Sequence, residues 1–348
     1  MSELRQNLIT RDWVIIATER ATRPDQFANK KKWAAVVPPH RADCPFCVGN
    51  EEDGTLETCR LGDSLRDSFA SRTGWKVRAI RNKYPALSPT AEWMRISSGI
   101  HRTMAGIGVH EVIVEHPRHD LTTALLSVEE VANILLVYRQ RYVEIRKNPH
   151  IETILIFKNH GESAGTSLEH PHSQLAATPV VPSQFRSRID EAIRYFDDTG
   201  ECLFCRTLED ELAAKERVIC ESEHFVAFIP YAALSPFHTW IFPRRHSSSF
   251  DEITDPELTD LAYTLKTVLA KLYYGLNNPD YNYNIRSVPI AQRATKYFHW
   301  YIAIIPRVTK QAGFELGSGM FINTALPEES GAFLRSIEIP SDTNFGLT

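Results

Sequence analysis

The stretch SLEHPHSQ (residues 167–174) contains two histidines separated by a single proline, and a glutamine follows two places after the second histidine. A histidine pair at this spacing is common. Alternate residues of a strand share one face, so the pair by itself does not define a function. A similar pattern recurs late in the chain, where residues 299–301 read HWY. The recurrence indicates that the chain is built from two related halves.

Each half presents cysteines and histidines in the same order. A C-x-x-C unit comes first, followed by a β-rich run that ends in a histidine, a long helical pattern, and a second histidine beside another β-rich run. In a reducing compartment, paired C-x-x-C units more often hold a metal than form disulfides, with a redox pair as the alternative. Two cysteines and two histidines suit a closed tetrahedral zinc site. The pattern therefore predicts two structural zinc sites, with ligands Cys44, Cys47, His119 and His170 in the first half and Cys202, Cys205, His246 and His299 in the second.

Each half also contains one long amphipathic helical pattern. Ser127 and Glu130 have capping-box spacing at the start of the first helix, and Thr254 and Glu257 have it at the start of the second. Because strand-like runs precede and follow both helices, we predict an α+β protein with a mostly antiparallel sheet and long helices packed on it. The predicted buried faces are Val131, Ile134, Leu135, Tyr138, Tyr142 and Ile145 in the first helix, and Leu258, Leu261, Leu265, Val268, Leu269 and Leu272 in the second.

The bulk composition narrows the class of protein. The chain has 348 residues and a net charge of -4, so it lacks the strongly basic character of a protein that binds nucleic-acid polymers. No apolar run approaches the roughly 20 residues that span a bilayer. The first residues, MSELRQNLITRDW, lack the basic start and apolar stretch of a signal peptide. We expect a cytoplasmic protein with a small-molecule substrate and neither a nucleic-acid nor a membrane partner.

The two halves differ at one position that separates the two histidines of SLEHPHSQ. When His170 is aligned with His299, the next alternate residue is His172 in the first half and Tyr301 in the second. A histidine needed only for packing or for zinc would be expected in both halves. We therefore predict that His172 is the reactive group of a single centre, because a neutral imidazole is a competent nucleophile near pH 7.

Several motifs together resemble the galactose-1-phosphate uridylyltransferase family, a branch of the histidine-triad superfamily with two such repeats in each chain. These motifs are RDWVIIATERATRPDQF, CPFC, VRAIRNKYPAL and SLEHPHSQ, and the resemblance spans nearly the whole chain. It implies two tandem histidine-triad-like repeats, at residues 1–185 with the H-P-H-S-Q motif and 186–348 with the second zinc site and a substrate segment. It also implies that His172 attacks the α-phosphate of a nucleotide substrate, forms a covalent nucleotidyl-histidine, and passes the nucleotide to a phosphate acceptor. A homodimer is a further implication.

Other residues are predicted to assist His172. Gln174 lies on the same strand face and can donate its amide to a phosphoryl oxygen. Ser167 and the small-residue loop ending at Gly165 can supply hydroxyl and backbone donors to a phosphate. The family resemblance implies further phosphate and nucleoside contacts at Arg20, Arg23, Asn82 and Asn159.

Departures from the family pattern bear on the substrate. Tyr301 and Ala303 occupy the H-x-H positions that hold a second, iron-type metal in some members, and Gly319 stands where hexose-specific members carry a glutamate. The resemblance is therefore to the adenylyl-transferring branch, whose activities are ADP-glucose phosphorylase and adenylylsulfate:phosphate adenylyltransferase. We expect AMP transfer from one of these donors to phosphate, with release of ADP. The alternatives are hexose-1-phosphate uridylyl transfer from UDP-glucose, phosphorolysis or hydrolysis of dinucleoside polyphosphates, and a non-catalytic nucleotide-binding module.

Overall fold

The computed structural model describes residues 2–17, 24–28, 37–51, 56–62, 74–90 and 92–340. Strands dominate the first half, and one long helix lies among them. In chain order the strands and the helix are β1 (Glu3–Gln6), β2 (Trp13–Ile16), β3 (Glu57–Gly62), β4 (Trp75–Arg81), β5 (Arg95–Ser98), β6 (His101–Met104), β7 (Val109–Val114), α1 (Val128–Ile145), β8 (Thr153–His160) and β9 (His172–Thr178).

The second half repeats this arrangement and adds helices before and after it. In chain order it contains α2 (Ser183–Thr199), α3 (Leu203–Ala214), β10 (Val218–Glu221), β11 (Phe225–Phe228), β12 (Thr239–Pro243), α4 (Asp255–Leu276), β13 (Tyr281–Arg286), β14 (Tyr301–Pro306), α5 (Gly313–Ser318), β15 (Phe321–Asn323) and α6 (Pro327–Ser336).

Within the described residues, ten strands form one antiparallel sheet in the order β10-β11-β12-β14-β13-β8-β9-β7-β4-β3. Each half contributes five strands, and the order of one half mirrors that of the other. The halves join where β8 pairs with β13, with Ile156 opposite Ile285. Two smaller sheets complete the described strands: β1-β2-β15, which ties both ends of the chain together, and the hairpin β5-β6. The predicted α+β class with a mostly antiparallel sheet is confirmed.

The two long helices form where the capping boxes predict them. Ser127 caps α1 and accepts from the Glu130 backbone N–H, while Thr254 caps α4 and accepts from that of Glu257. In both boxes the glutamate side chain accepts in return from the backbone N–H of the cap residue, which satisfies donors that a helix start leaves unpaired. All twelve predicted apolar residues of the two helices are buried. They pack on one face of the sheet in a shared core.

Two features of the second half and its boundary differ from the sequence expectation. Sequence periodicity did not identify α2 and α3, which precede the second set of strands and cover the other face of its sheet, as the apolar contacts of Ile189 and Phe204 show. The predicted boundary between residues 185 and 186 falls in the first turn of α2 and stays a prediction.

The strands stop short of the histidines that were expected at their ends. The strand β7 ends at Val114 and β12 at Pro243, so His119 and His246 lie in the loops beyond them. Prolines lack the N–H that a ladder needs, and Pro117 and Pro243 stand where the two strands give way to loops. Among the described helices none is long and apolar enough to cross a membrane. The expected cytoplasmic location stays a prediction.

Candidate active site and metal clusters

His172 begins β9, and its ring is fixed by one backbone contact. The Nδ1 atom lies 2.8 Å from the carbonyl oxygen of His170. Because a carbonyl can only accept, Nδ1 carries the proton and Nε2 keeps its lone pair. Burial lowers the pKa of His172, which favours the neutral imidazole. The ring of Phe46, from the first C-x-x-C unit, packs against it with centroids 5.4 Å apart.

His170 has the opposite ring orientation. Its Nε2 lies 2.8 Å from the carbonyl oxygen of His116, so Nε2 carries the proton and Nδ1 keeps its lone pair. That Nδ1 lies 3.6 Å from the sulfur of Cys47. Burial lowers the pKa of His170 to about 4. The two histidines of SLEHPHSQ therefore present different nitrogens to different partners: Nδ1 of His170 to the cysteines, and Nε2 of His172 away from its backbone contact.

A cavity of about 440 Å³ lies beside His172. Three predicted site residues line it together with the nucleophile: Asn82, Ser167 and Gln174. A second cavity, of about 600 Å³, shares Ser167 and His172 with the first and is also lined by Asn159. His172 thus stands between two spaces that are each large enough for part of a nucleotide substrate.

The other residues predicted to contact phosphate either do not line these two cavities or lie outside the described residues. Gly165 ends a short 3₁₀ turn with a φ of 88°, a conformation that favours glycine. It does not line either of these two cavities, although Gly161 at the start of the same loop lines the larger one. Arg20 and Arg23 lie outside the described residues, so their predicted contacts with phosphate stay predictions.

The first cysteine–histidine cluster has the dimensions of a metal site. The ligand atoms of Cys44, Cys47, His119 and His170 all lie within 4.8 Å of one another, and all four residues are buried. The two Nδ1 atoms lie 3.2 Å apart, and the sulfur of Cys47 lies 3.5 Å from Nδ1 of His119. A tetrahedral zinc site with bonds of about 2.0–2.3 Å separates its ligand atoms by roughly 3.3–3.8 Å. The residues therefore fit a bound metal ion.

A second cluster occupies the matching place in the second half. The ligand atoms of Cys202, Cys205 and His246 lie within 4.8 Å of one another, and Nδ1 of His299 lies 3.5 Å from the sulfur of Cys205. Nε2 of His246 lies 3.0 Å from the carbonyl oxygen of Thr295, which leaves Nδ1 free to face the cluster. Both halves thus use the same nitrogen of the same residue type.

Beyond its cysteine–histidine cluster, the second half has an apolar interior where the first half has the candidate site. Tyr301, the counterpart of His172, is buried and packs against Trp240 and Phe242, with ring centroids 5.3 and 5.1 Å away. Phe204 of α3 covers the same ring at 5.8 Å. Helices that sequence periodicity did not identify thus fill the space that lies open beside His172.

A buried polar network lies beneath the nucleophile. Lys158 and Glu115 form an ion pair in which the side chains are 2% and 0% exposed. Lys158 also donates to the carbonyl oxygen of His172 at 3.3 Å. Burial raises the pKa of the Glu115 carboxyl, but Lys158 outweighs this effect and holds that pKa below its usual range. Tyr138 donates to Ser173 at 2.6 Å and contacts Tyr283 of the second half at 2.7 Å.

Neither this network nor His110, which contacts Gln174, was predicted from the sequence. His110 opens the run HEVIVEHPRH, and strand alternation places it on one face with Val112 and Val114. Alternation does not say which strand lies beside that face, so the contact with Gln174 was not predictable from the run alone.

Family models match nearly the whole chain. The N-terminal domain of galactose-1-phosphate uridyl transferase matches residues 1–182, and the C-terminal domain matches residues 188–314.

The chain belongs to the galactose-1-phosphate uridylyltransferase family.

Individual relatives of the family agree with this result. ADP-glucose phosphorylase of Arabidopsis thaliana is 38% identical over 341 residues, which cover 97% of this chain and 93% of that protein. Galactose-1-phosphate uridylyltransferase of Thermotoga maritima is 28% identical over 351 residues, covering 97% and 99%. The crystal structure of the Arabidopsis ADP-glucose phosphorylase with bound ADP-glucose superposes with a TM-score of 0.81 at 35% identity, covering 98% of this chain and all of that one. The protein is thus an enzyme of the nucleotidyltransferase type.

Proposed function

We propose that the protein transfers an adenylyl group to phosphate through a covalent adenylyl-His172 intermediate. The observation that carries the proposal is the fixed ring of His172, whose Nδ1 is bound to the carbonyl oxygen of His170 at 2.8 Å. The unshared pair on Nε2 is the nucleophile, and Gln174 and Ser167 line the cavity at its side. Family membership supports the same reaction type.

The chemistry proceeds in two displacements at one phosphorus atom. Nε2 of His172 attacks the α-phosphorus of the donor, and the bond to the bridging oxygen breaks, so the leaving group departs with the bonding electrons. In the second step an oxygen of inorganic phosphate attacks the same phosphorus, the P–N bond breaks, and ADP forms. Positioned donors such as the Gln174 amide and the Ser167 hydroxyl stabilise the charge on the phosphoryl oxygens in both steps.

Two donors fit this chemistry. With ADP-glucose the leaving group is glucose 1-phosphate, and with adenylylsulfate it is sulfate. The relative named ADP-glucose phosphorylase supports the first donor. The presence of Gly319 in place of a sugar-binding glutamate supports adenylyl rather than hexose-1-phosphate uridylyl transfer. Uridylyl transfer and the cleavage of dinucleoside polyphosphates remain the alternatives.

We also propose that the two clusters bind zinc and that it has a structural role. The ligand spacing and the cysteine–histidine donor set support zinc over metals that prefer oxygen. The metal of the first cluster would hold His170, and so the carbonyl oxygen that orients the ring of His172.

A homodimer is the proposed assembly. The hairpin β5-β6 is an isolated two-stranded sheet, a unit with little stability of its own. It and its flanks expose large apolar side chains, with Ile100 92% exposed and Met94 53% exposed. A second copy of this chain would cover this patch.

A substrate panel with a matched variant tests the function. Wild-type protein and H172G are each mixed with phosphate and with ADP-glucose, adenylylsulfate, UDP-glucose or diadenosine tetraphosphate, and nucleoside diphosphate release is followed. We expect ADP from one of the first two donors with wild-type protein, and no turnover with H172G, whose fold and metal content stay unchanged. Normal turnover by H172G would refute the mechanism, and turnover of UDP-glucose alone would refute adenylyl transfer.

A further inference from the structure

His110 connects the glutamine beside the nucleophile with the loop that carries Asn82. Its Nε2 lies 2.9 Å from the side-chain oxygen of Gln174. Its Nδ1 lies 3.1 Å from the backbone nitrogen of Ala86. Its carbonyl oxygen accepts from the backbone N–H of Asn82 at 2.9 Å. His110 of β7 therefore contacts both Asn82, which lines the cavity, and Gln174, whose side chain is expected to contact the phosphate.

The neighbours of His110 determine which of its nitrogens carries the proton. The backbone nitrogen of Ala86 can only donate, so Nδ1 of His110 must be the acceptor. A neutral ring then carries its proton on Nε2, which donates to the side-chain oxygen of Gln174. The side-chain nitrogen of Asn82 also lies 3.3 Å from Nε2, but it is itself a donor and does not accept this proton. This assignment also sets the amide of Gln174, whose oxygen is occupied by His110. Among the described residues its nitrogen has no hydrogen-bond partner.

We propose that His110 is a positioning residue that turns the amide nitrogen of Gln174 toward the transferred phosphoryl group. An amide can present either its oxygen or its nitrogen, and an oxygen would repel the negative phosphoryl oxygens. His110 selects the productive orientation because it binds the oxygen. The same ring is held by Ala86, so the loop of residues 82–86 must be in place before Gln174 is oriented. This proposal rests on adenylyl transfer through His172.

The effect on rate follows from the geometry. Loss of one donor to a developing oxyanion costs about 100- to 1,000-fold in rate. Loss of His110 leaves the Gln174 amide present but free to rotate, so we expect a smaller decrease in the rate of adenylyl-His172 formation, about 10- to 100-fold. The KM for the donor should change by less than about twofold, because the interaction acts in the transition state.

Two substitutions separate the nitrogens of His110. In H110N the amide oxygen lies near the position of Nδ1 and can still accept from Ala86, but nothing donates to Gln174. In H110Q the amide nitrogen lies near the position of Nε2 and can still donate to Gln174. We therefore expect the large loss of rate with H110N and a partial rescue with H110Q. H224N, on a partly exposed histidine of the second half, is the matched control.

The experiment measures single-turnover formation of adenylyl-His172, with ADP-glucose labelled in the α-phosphate and no phosphate acceptor, and with adenylylsulfate as a second donor. The variants H110N, Q174M and the double variant are compared with wild-type protein. If His110 acts through Gln174, H110N slows Q174M by less than about threefold further, because the two changes remove one interaction.

The outcomes distinguish the two proposals. If wild-type protein forms no covalent adduct with either donor, adenylyl transfer fails, and the role of His110 fails with it. If wild-type protein forms the adduct but H110N forms it at the wild-type rate, only the role of His110 is overturned. The role of His110 is also overturned if the effects of H110N and Q174M on the rate are fully additive, or if H110Q lowers the rate as much as H110N does. If H110N does not fold, the rate of adduct formation by H110Q is compared with that of wild-type protein. A decrease in this rate above 100-fold would then count against the proposal.

Discussion

The buried ion pair beneath His172 makes a prediction that can be worked out in numbers. The substitution K158M removes the cation from Glu115, whose side chain is fully buried. Breaking a buried pair by removing one partner costs about 3–5 kcal/mol. The hydrogen bond that Thr123 donates to Glu115 at 3.0 Å remains, and the Tyr138 hydroxyl lies 3.3 Å from the same carboxylate, so we expect the lower end, about 3 kcal/mol at pH 8. For 348 residues that corresponds to a decrease in Tm of about 4 °C.

The stability that K158M loses relative to wild type should depend on pH in a defined direction. Without Lys158, burial raises the pKa of Glu115 above its value in the unfolded chain. A group with a raised pKa in the folded state stabilises the fold below its unfolded pKa, and this contribution is lost as pH rises through the folded value. K158M should therefore lose more stability, relative to wild type, at pH 8 than at pH 5.5. The difference should shrink by up to about 1.4 kcal/mol for each pH unit.

Urea unfolding followed by tryptophan fluorescence, at pH 5.5 and pH 8 with metal present, measures both effects. A double-mutant cycle with E115Q isolates the pair, and we expect the double variant to be at least about 2 kcal/mol more stable than the sum of the single losses. K147M is the control, because Lys147 and Glu144 form an exposed pair with side chains 66% and 59% exposed, and loss of such a pair should leave stability nearly unchanged. A loss below about 1 kcal/mol for K158M, or an equal loss at both pH values, would refute the reasoning.

Two further predictions concern the metal and the assembly. Elemental analysis should find two zinc ions per chain in wild-type protein and one in C205S. Chelation should lower Tm by roughly 10 °C or more, because metal binding contributes to folding. A metal-free protein with unchanged Tm would contradict the structural role. The double substitution I96E/I100E on the β5-β6 hairpin should convert a dimer to a monomer in light scattering. A wild-type protein that is monomeric at micromolar concentration would contradict the dimer.

Local patterns in the chain predicted much of the fold. Helix starts depend on a few adjacent residues, so the two capping boxes were sufficient to locate the starts of α1 and α4. Helical periodicity identified their buried faces for the same reason. In contrast, α2 follows a loop without a capping side chain, and Cys202, which directly precedes α3, does not cap it through its side chain. Neither start carries a local signal, because their stability comes from packing on the sheet.

The repeat, strand alternation and the family resemblance together predicted several residues that lie at the site. Comparison of the halves separated His170 from His172, and the structure brings Gln174, Ser167 and Asn82 to one cavity with His172. The roles of these residues stay proposals.

Sequence alone thus determined the repeat, the class of fold, the two helices with their buried faces, and the distinction between the two histidines of SLEHPHSQ, because each depends on residues close in the chain or on comparison of equivalent positions. The tertiary structure alone decided the partners of His110, the Lys158–Glu115 pair and the filled interior around Tyr301. Those contacts depend on strand order and register, and residues far apart in sequence meet there only after the sheet has formed.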